Sequence, residues 1–533
     1  MKKEKEKEIR NTPQNFLSGA LSLTLSAIIV KLIGLIYKIP IASLLGDEGM
    51  GYFNSAYTVF AFFYLLCTAG VPKAVMILIS ESKSKGHVAD EKKILRVASA
   101  MFIAVGAIAT TLFIVFAVPI ANLIGSSKSY ATMIAIAPSI VLVSLSGVIR
   151  GYLSANMRLI DISISQVIEG VGKLVLGLVF AMVGFSIQLP IEILSAFTIL
   201  GVSFGALLGL IYLLVCTKIN LAIDNSRQIS PILENRQIIR RILSISIPIT
   251  LSAAIMSITN IIDLGLIIRS LIESGLKDIE ANALYGNYTT LAVPMLNLAM
   301  AVISPISIAY LPVFTKCCVT ADNKGLMKTQ RSAIELTAFM AAPIMIGLMT
   351  FSKEILALLF PKSGIIVGSK LLFLIAPSIL FSSVLLIINT ILEAKGMVKA
   401  PLISMSIGGI IKIASSYFLI ANTNLGILGA PVGTVLSYAA ALFVSIIIYT
   451  IAIKSYIPIF TASFLPYLIA AVSVMISRFV FDKLKFCMSD NLSLLISIML
   501  AALIYLGISM VLGVLGKSKI RELAKYTKVT EQI

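Results

Sequence analysis

The sequence predicts an all-α polytopic membrane protein of about fourteen transmembrane helices, and three observations carry that prediction. The 533-residue chain is 58% hydrophobic and 13% charged, with a mean hydropathy of +1.00, far outside the range of soluble domains. Apolar runs of about 20 residues or more recur from end to end, each long enough to cross roughly 30 Å of hydrocarbon as a helix. Runs such as LSLLISIMLAALIYLGISMVLGVLG are apolar on every face, whereas a barrel strand would alternate apolar and polar residues.

Taken in order, the first ten residues, MKKEKEKEIR, are charged, and the apolar run after them has no small-residue cleavage site at signal-peptide distance. A retained first helix is expected. Residues 1–14 read as a basic cytoplasmic N-terminus and 15–217 as a lobe of six helices. The basic stretch KINLAIDNSRQISPILENRQIIRR supplies a cytoplasmic inter-lobe loop at 218–236. A second six-helix lobe occupies 237–455, two further helices 456–516, and a cytoplasmic tail 517–533. With the N-terminus inside, Lys and Arg concentrate in the inner loops, which places both termini in the cytoplasm of a multi-pass plasma-membrane protein. The net charge of +18 then lies beside anionic lipid as an orientation signal. Dispersed over many short loops, it does not make a nucleic-acid surface.

The two lobes read as a duplication. GYFNSAYTVFAFFYLLCTAGVPK aligns without gaps to LYGNYTTLAVPMLNLAMAVISPI, so that Tyr52, Asn54 and Pro72 match Tyr285, Asn287 and Pro305. A second block pairs Leu153, Ala155, Ile168, Gly170 and Lys173 with Leu392, Ala394, Ile407, Gly409 and Lys412. Six helices per lobe bring both in from the same membrane side, as parallel repeats with the substrate site between them.

Charged residues inside apolar runs are the candidate functional residues, because each costs about 2.5–3.5 kcal/mol near the bilayer centre on insertion scales. Lys31 and Lys38 lie seven residues apart, which puts both on one face of the first helix, about 10 Å apart. Snorkelling accounts for part of Lys38's position, but Lys31 is deeper and is expected to line a cavity. Glu169 and Lys173 have the favourable i,i+4 order for a mutual ion pair. The second lobe keeps the lysine as Lys412 but has Gly408 in place of the glutamate, so Lys412 needs another partner. Asp263 is the expected counter-ion, reaching Lys31 or Lys38 across the cleft. Glu335 also falls inside a run, with Arg150, Arg269 and Arg478 nearer span ends.

Gly201, Gly205 and Gly209 form a small-xxx-small stripe, as do Gly429 and Gly433, and close helix packing explains both. Pro40, Pro72, Pro248, Pro294, Pro305 and Pro343 interrupt helices. Cys67, Cys216, Cys317, Cys318 and Cys487 contain no CxxC pair and read as packing residues, with neither a metal site nor a disulfide framework. No catalytic constellation is visible: the single histidine, His87, lies in a loop, and Asp47 and Glu48 sit in a turn. No enzyme activity, cofactor or metal is expected.

The segment GDEGMGYFNSAYTVFAFFYLLCTAGVPKAVMILISE, Gly46 to Glu81, resembles the signature of the polysaccharide-transporter branch of the multidrug/oligosaccharidyl-lipid/polysaccharide (MOP) flippases. Within that branch it is most similar to the stage V sporulation protein B group, which is related to lipid II flippases of the MurJ type. The likeness spans nearly the whole chain, including the two extra helices that separate such flippases from twelve-helix drug antiporters. It implies a V-shaped bundle that moves an undecaprenyl-pyrophosphate-linked oligosaccharide or peptidoglycan precursor from the inner to the outer leaflet by alternating access. A coupling cation, Na+ or H+, belongs to the same implication. A basic first helix supplies cavity arginines in MurJ-type proteins. One falls on Lys31, the next on Tyr37 with Lys38 adjacent, and the basic position of the second helix has no counterpart among Phe62 to Leu66. Two other readings remain. A cation-coupled multidrug antiporter would favour intramembrane acids and an aromatic pocket. A non-transporting scaffold for wall or spore assembly would have no need of charges in mid-membrane.

Overall fold

The computed structural model describes residues 13–84, 89–223, 233–320, 322–361, 364–397, 399–421, 425–453 and 456–513. His87, residues 224–232 of the inter-lobe loop, residues 1–12 and the C-terminal segment lie outside them. The described residues contain helix and no strand. In chain order the helices are α1 (Pro13–Thr68), α2 (Val71–Ser84), α3 (Ala89–Val115), α4 (Ala117–Leu123), α5 (Tyr130–Ile136), α6 (Pro138–Ala155), α7 (Leu159–Ser186), α8 (Ile191–Ile223), α9 (Asn235–Glu273) and α10 (Asp278–Asn287). A π-helical turn, Tyr288–Ala292, follows. Then come α11 (Val293–Val319), α12 (Asn323–Thr350), α13 (Ser352–Leu359), α14 (Ile365–Ile375), α15 (Ser378–Ala394), α16 (Lys399–Ala421), α17 (Gly429–Ile453), α18 (Ile459–Leu484) and α19 (Asp490–Val511).

Among the described residues, twelve helical stretches are long and apolar enough to cross a membrane. The first, Leu25–Ser84, has 60 residues, where one crossing needs about 20. It is two arms folded back on each other. Gly46 has φ 64° and ψ −177°, a conformation that favours glycine. Lys38 hydrogen-bonds Asn54 and the Tyr37 ring lies 6.2 Å from that of Phe53. A straight helix would separate each of those pairs by about 24 Å. Counting the arms separately, and adding the 39-residue α9, agrees with about fourteen crossings. Pro40, Pro248, Pro305 and Pro343 lie inside helices. Pro72 instead occupies the first turn of α2, where the absent N–H would have had no helical partner, and Pro294 follows directly on the π-helical turn within an unbroken helical run.

By packing, the chain forms two units. The first extends to Arg269 and includes Lys277–Gly286; the second comprises Ser270–Leu276 and the residues from Asn287 onward. This division and the sequence duplication are different partitions: one follows contact, the other the repeat. The core of the first unit gathers Val75, Ile79, Ile94, Tyr152, Leu213 and Ile242 from α2, α3, α6, α8 and α9. That of the second gathers Phe314, Ile334, Ile388 and Tyr449. The two extra helices pack in the second unit through Tyr505, whose ring stacks 5.0 Å from Phe339 and whose hydroxyl donates to the Phe339 carbonyl at 2.8 Å.

Helix association in lipid draws on van der Waals contact more than on burial from water, so backbone approach matters most. Both glycine stripes act this way. A Cβ at Gly201 would lie 2.4 Å from the Gly177 Cα, and one at Gly205 would lie 2.6 Å from the Glu169 carbonyl oxygen and 2.7 Å from the Lys173 nitrogen. In the second unit a Cβ at Gly433 would lie 2.5 Å from the Ser416 hydroxyl. Gly201→Leu must therefore push α7 off α8, and is expected to lower the thermal midpoint of the detergent-solubilised protein by several degrees. Gly209→Ala, where the nearest atom is 3.1 Å away, should be mild by comparison. Equal melting of the two variants would contradict this packing account.

Candidate functional site

The first unit brings three cations and a carboxylate together on α1, α6 and α7. The fold-back at Gly46 sets the first contact: Lys38, half-buried on the first arm of α1, donates from Nζ to Asn54 Oδ1 of the second arm at 3.2 Å. Its neighbour Tyr37 is buried, and its hydroxyl donates to the Thr198 carbonyl of α8 at 3.3 Å. Gly177 makes room for that ring, since a Cβ there would lie 2.4 Å from the Tyr37 hydroxyl.

Lys173 stands one turn before Gly177 on α7. Its Nζ lies 4.6 Å from the Tyr57 ring centroid and 5.3 Å from that of Tyr37. Lys38, the residue after Tyr37, and Lys173, over the Tyr37 ring, thus bring two like charges to the contact of α1 with α7. A cation over a ring is held by about 0.5–2 kcal/mol, while a hydrogen bond between charged groups is worth about 1.5–3. Lys173 is thus held by the weaker kind of contact.

The expected Glu169–Lys173 pair does not form. Glu169 Oε2 instead accepts from Arg150 Nη2 of α6 at 2.7 Å, with side-chain exposures of 25% and 11%. The physical reason is that an intrahelical i,i+4 pair contributes only about 0.2–0.5 kcal/mol, less than a short charge-assisted bond to a desolvated guanidinium. Arg150, read from sequence as near a span end, is buried. A signal was present in GVIRG: Gly147 and Gly151 flank it at i,i+4 spacing. A Cβ at these positions would lie 2.9 Å from the Cys67 carbonyl oxygen and 2.6 Å from that of Pro72, so α6 is drawn into the bundle.

Of the remaining candidates, Lys31 is exposed on α1, two helical turns before Lys38. Asp263 is buried on α9, also in the first unit. Lys412 is half-buried on α16 of the second unit, near Tyr438. Glu335 pairs with Arg331 at 2.9 Å. Arg478 pairs with Glu354 at 2.7 Å and lies over the Phe351 and Phe481 rings, holding α18 in place. Arg269 is exposed. The structure thus collects Lys38, Lys173 and Glu169 and adds Arg150, while Lys412 belongs to the second unit. Among the described residues no group of three or more His, Cys, Asp or Glu could hold a metal ion.

The chain is 24% identical over 518 residues to the stage V sporulation protein B of Bacillus subtilis (strain 168), covering 96% of this chain and 98% of that protein. It is 23% identical over 457 residues to the lipid II flippase MurJ of the same organism, covering 80% and 81%. Among solved structures, lipid II flippase MurJ in an inward closed conformation superposes with a TM-score of 0.70 at 16% identity, over 92% of this chain and 98% of that one. An inward-facing multidrug resistance transporter of the MATE family, in the MOP superfamily, gives 0.64 at 15% identity, over 82% and 98%. The fold is the one these flippases and transporters share. Residues 16–318, more than half of the chain, match the family described as polysaccharide biosynthesis protein, and it is to that family that the chain belongs.

Proposed function

We propose that this protein is a flippase that moves an undecaprenyl-pyrophosphate-linked sugar from the inner to the outer leaflet by alternating access. The observation that carries the reading is the pair Lys38 and Lys173, two cationic side chains brought to one contact of membrane helices, one bonded to a neutral amide and the other resting on aromatic rings. Two cationic side chains on membrane helices offer a pyrophosphate leaving water replacements for lost hydration and counterions. Lysine's hydrated point charge grips less firmly than an arginine fork, which permits release. Lys31 and Lys412 are assigned to the path of the same anion. Asp263 is assigned as the carboxylate that offsets these cations when no substrate is bound.

The multidrug-antiporter reading is disfavoured by the same geometry. An organic cation needs an open aromatic face, and the Tyr37 and Tyr57 rings already carry an ammonium. Purified protein in liposomes is expected to translocate a fluorescent undecaprenyl-pyrophosphate disaccharide, with competition from other prenyl-pyrophosphate sugars. Dependence on a Na+ or H+ gradient in the same vesicles would identify a coupling cation. Translocation no faster than in protein-free vesicles would refute the flippase reading.

Both termini are assigned to the cytoplasm. In a background lacking the native cysteines, a cysteine at the Asp47 turn should react with an impermeant reagent on intact cells, and one at position 227 only after permeabilisation. The reverse pattern would invert the topology.

A further inference from the structure

We infer that Tyr57 is a covered sugar platform: the Lys173 ammonium occupies a face of its ring until a substrate phosphate draws the lysine away, and the first pyranose of that substrate then stacks in its place. This rests on the flippase reading and adds to it the position of the sugar.

The second arm of α1 carries an aromatic ladder, Phe53, Tyr57, Phe60 and Tyr64, with successive ring centroids 6.4, 6.0 and 6.0 Å apart. Rings that serve only packing should be buried, and Phe53 and Phe60 are, at 2% and 3% exposure. Tyr57 is 37% exposed. Its plane is nevertheless set, within 7° of parallel to Phe53. An exposed aromatic ring with a fixed plane, beside a cation pair, has the chemistry of a subsite for a phosphate-linked sugar: the apolar C–H face of a pyranose packs on the ring while its hydroxyls stay solvated.

The cover is built to be displaced. Glu169, the carboxylate within i,i+4 reach of Lys173, is held by Arg150, so among the described residues Lys173 makes no ion pair and its contacts are the two rings. A phosphate between Lys38 and Lys173 relieves their repulsion and outcompetes a cation–π contact. The sugar is covalently joined to that phosphate, so it reaches the uncovered ring at high effective concentration. A free sugar has no means of displacing the ammonium. The site therefore recognises phosphate and sugar together and should ignore a sugar alone.

The test uses the full-length protein in nanodiscs and three probes: undecaprenyl pyrophosphate, the same lipid carrying one N-acetylhexosamine, and free N-acetylhexosamine. Wild type is expected to bind the sugar-bearing lipid about fivefold more tightly than the bare one, the effect of burying one apolar pyranose face, and the free sugar not measurably. Tyr57→Leu should bring that ratio to near one and raise the affinity for the bare lipid, because Lys173 loses its ring and is freed for the phosphate. Tyr57→Phe, which keeps the ring, should preserve the ratio. A ratio of one in wild type, a retained ratio in Tyr57→Leu, or equal loss of both lipids in Tyr57→Leu and Tyr57→Phe would overturn the platform. Failure of wild type to bind either lipid would instead overturn the flippase reading and the platform with it.

Discussion

Lys38→Ala and Lys173→Ala are each expected to slow translocation of a pyrophosphate-linked lipid by about ten- to a hundredfold, with membrane abundance close to wild type. The magnitude is that of one charge-assisted contact, about 1.5–3 kcal/mol. Abundance should hold because neither ammonium is part of an essential packing contact: Lys38 bonds an amide and Lys173 rests on rings. Arginine at either position should keep partial activity, since the requirement is positive charge, but its fork should slow release. Lys31→Ala should show a smaller loss, because its exposed side chain stands two turns from the pair. The measurement is initial rate in liposomes at matched protein content. Alanine variants with wild-type rates would remove Lys38 and Lys173 from the site.

Arg150→Met is expected to have the largest effect on stability. It leaves the Glu169 carboxylate, partnered at 2.7 Å in the intact protein, without its guanidinium. Breaking a buried pair by removing one member costs about 3–5 kcal/mol. The lower end applies here, because Lys173 is one turn away on the same helix face and can swing to Glu169. Arg150→Met with Glu169→Gln removes both charges and should recover most of the loss, whereas additive single effects would show that the two residues act independently. Thermal melting in detergent reads out all three variants. If Arg150→Met alone melts like wild type, the pair contributes no stability. The swing would also tie Lys173 to Glu169 and withdraw a cation from the phosphate, so that any Arg150→Met protein that remains folded should bind the bare lipid less well.

Much of the fold was legible in the chain, for identifiable reasons. The apolar runs could only be helices, because lipid leaves no partner for unpaired backbone groups. Gly201, Gly205 and Gly209 could be read as a contact surface because helical spacing puts them on one side, and α7 lies against that side. The acidic turn at Asp47 and Glu48 sits directly after the fold-back at Gly46. The site was legible in part. Lys38, Lys173 and Glu169 were identifiable because charge within apolar sequence is costly wherever the helix goes. Arg150 was legible as a charge near a span end but not as the partner of Glu169, because that position says nothing about which helix it will face.

Composition and run length by themselves determined the all-helical membrane class and its approximate number of crossings, since both follow from the energy of placing a segment in hydrocarbon, a property of that segment alone. Only the tertiary structure decided which partner each charge takes. Glu169 had two cations within reach, Lys173 along its own helix and Arg150 across from α6. The choice went to Arg150 because Gly147 and Gly151 let α6 approach closely, while Gly177 and Gly201 seat Tyr37 beneath Lys173. Those distances depend on the mutual fit of several helices, and no single stretch of sequence contains them.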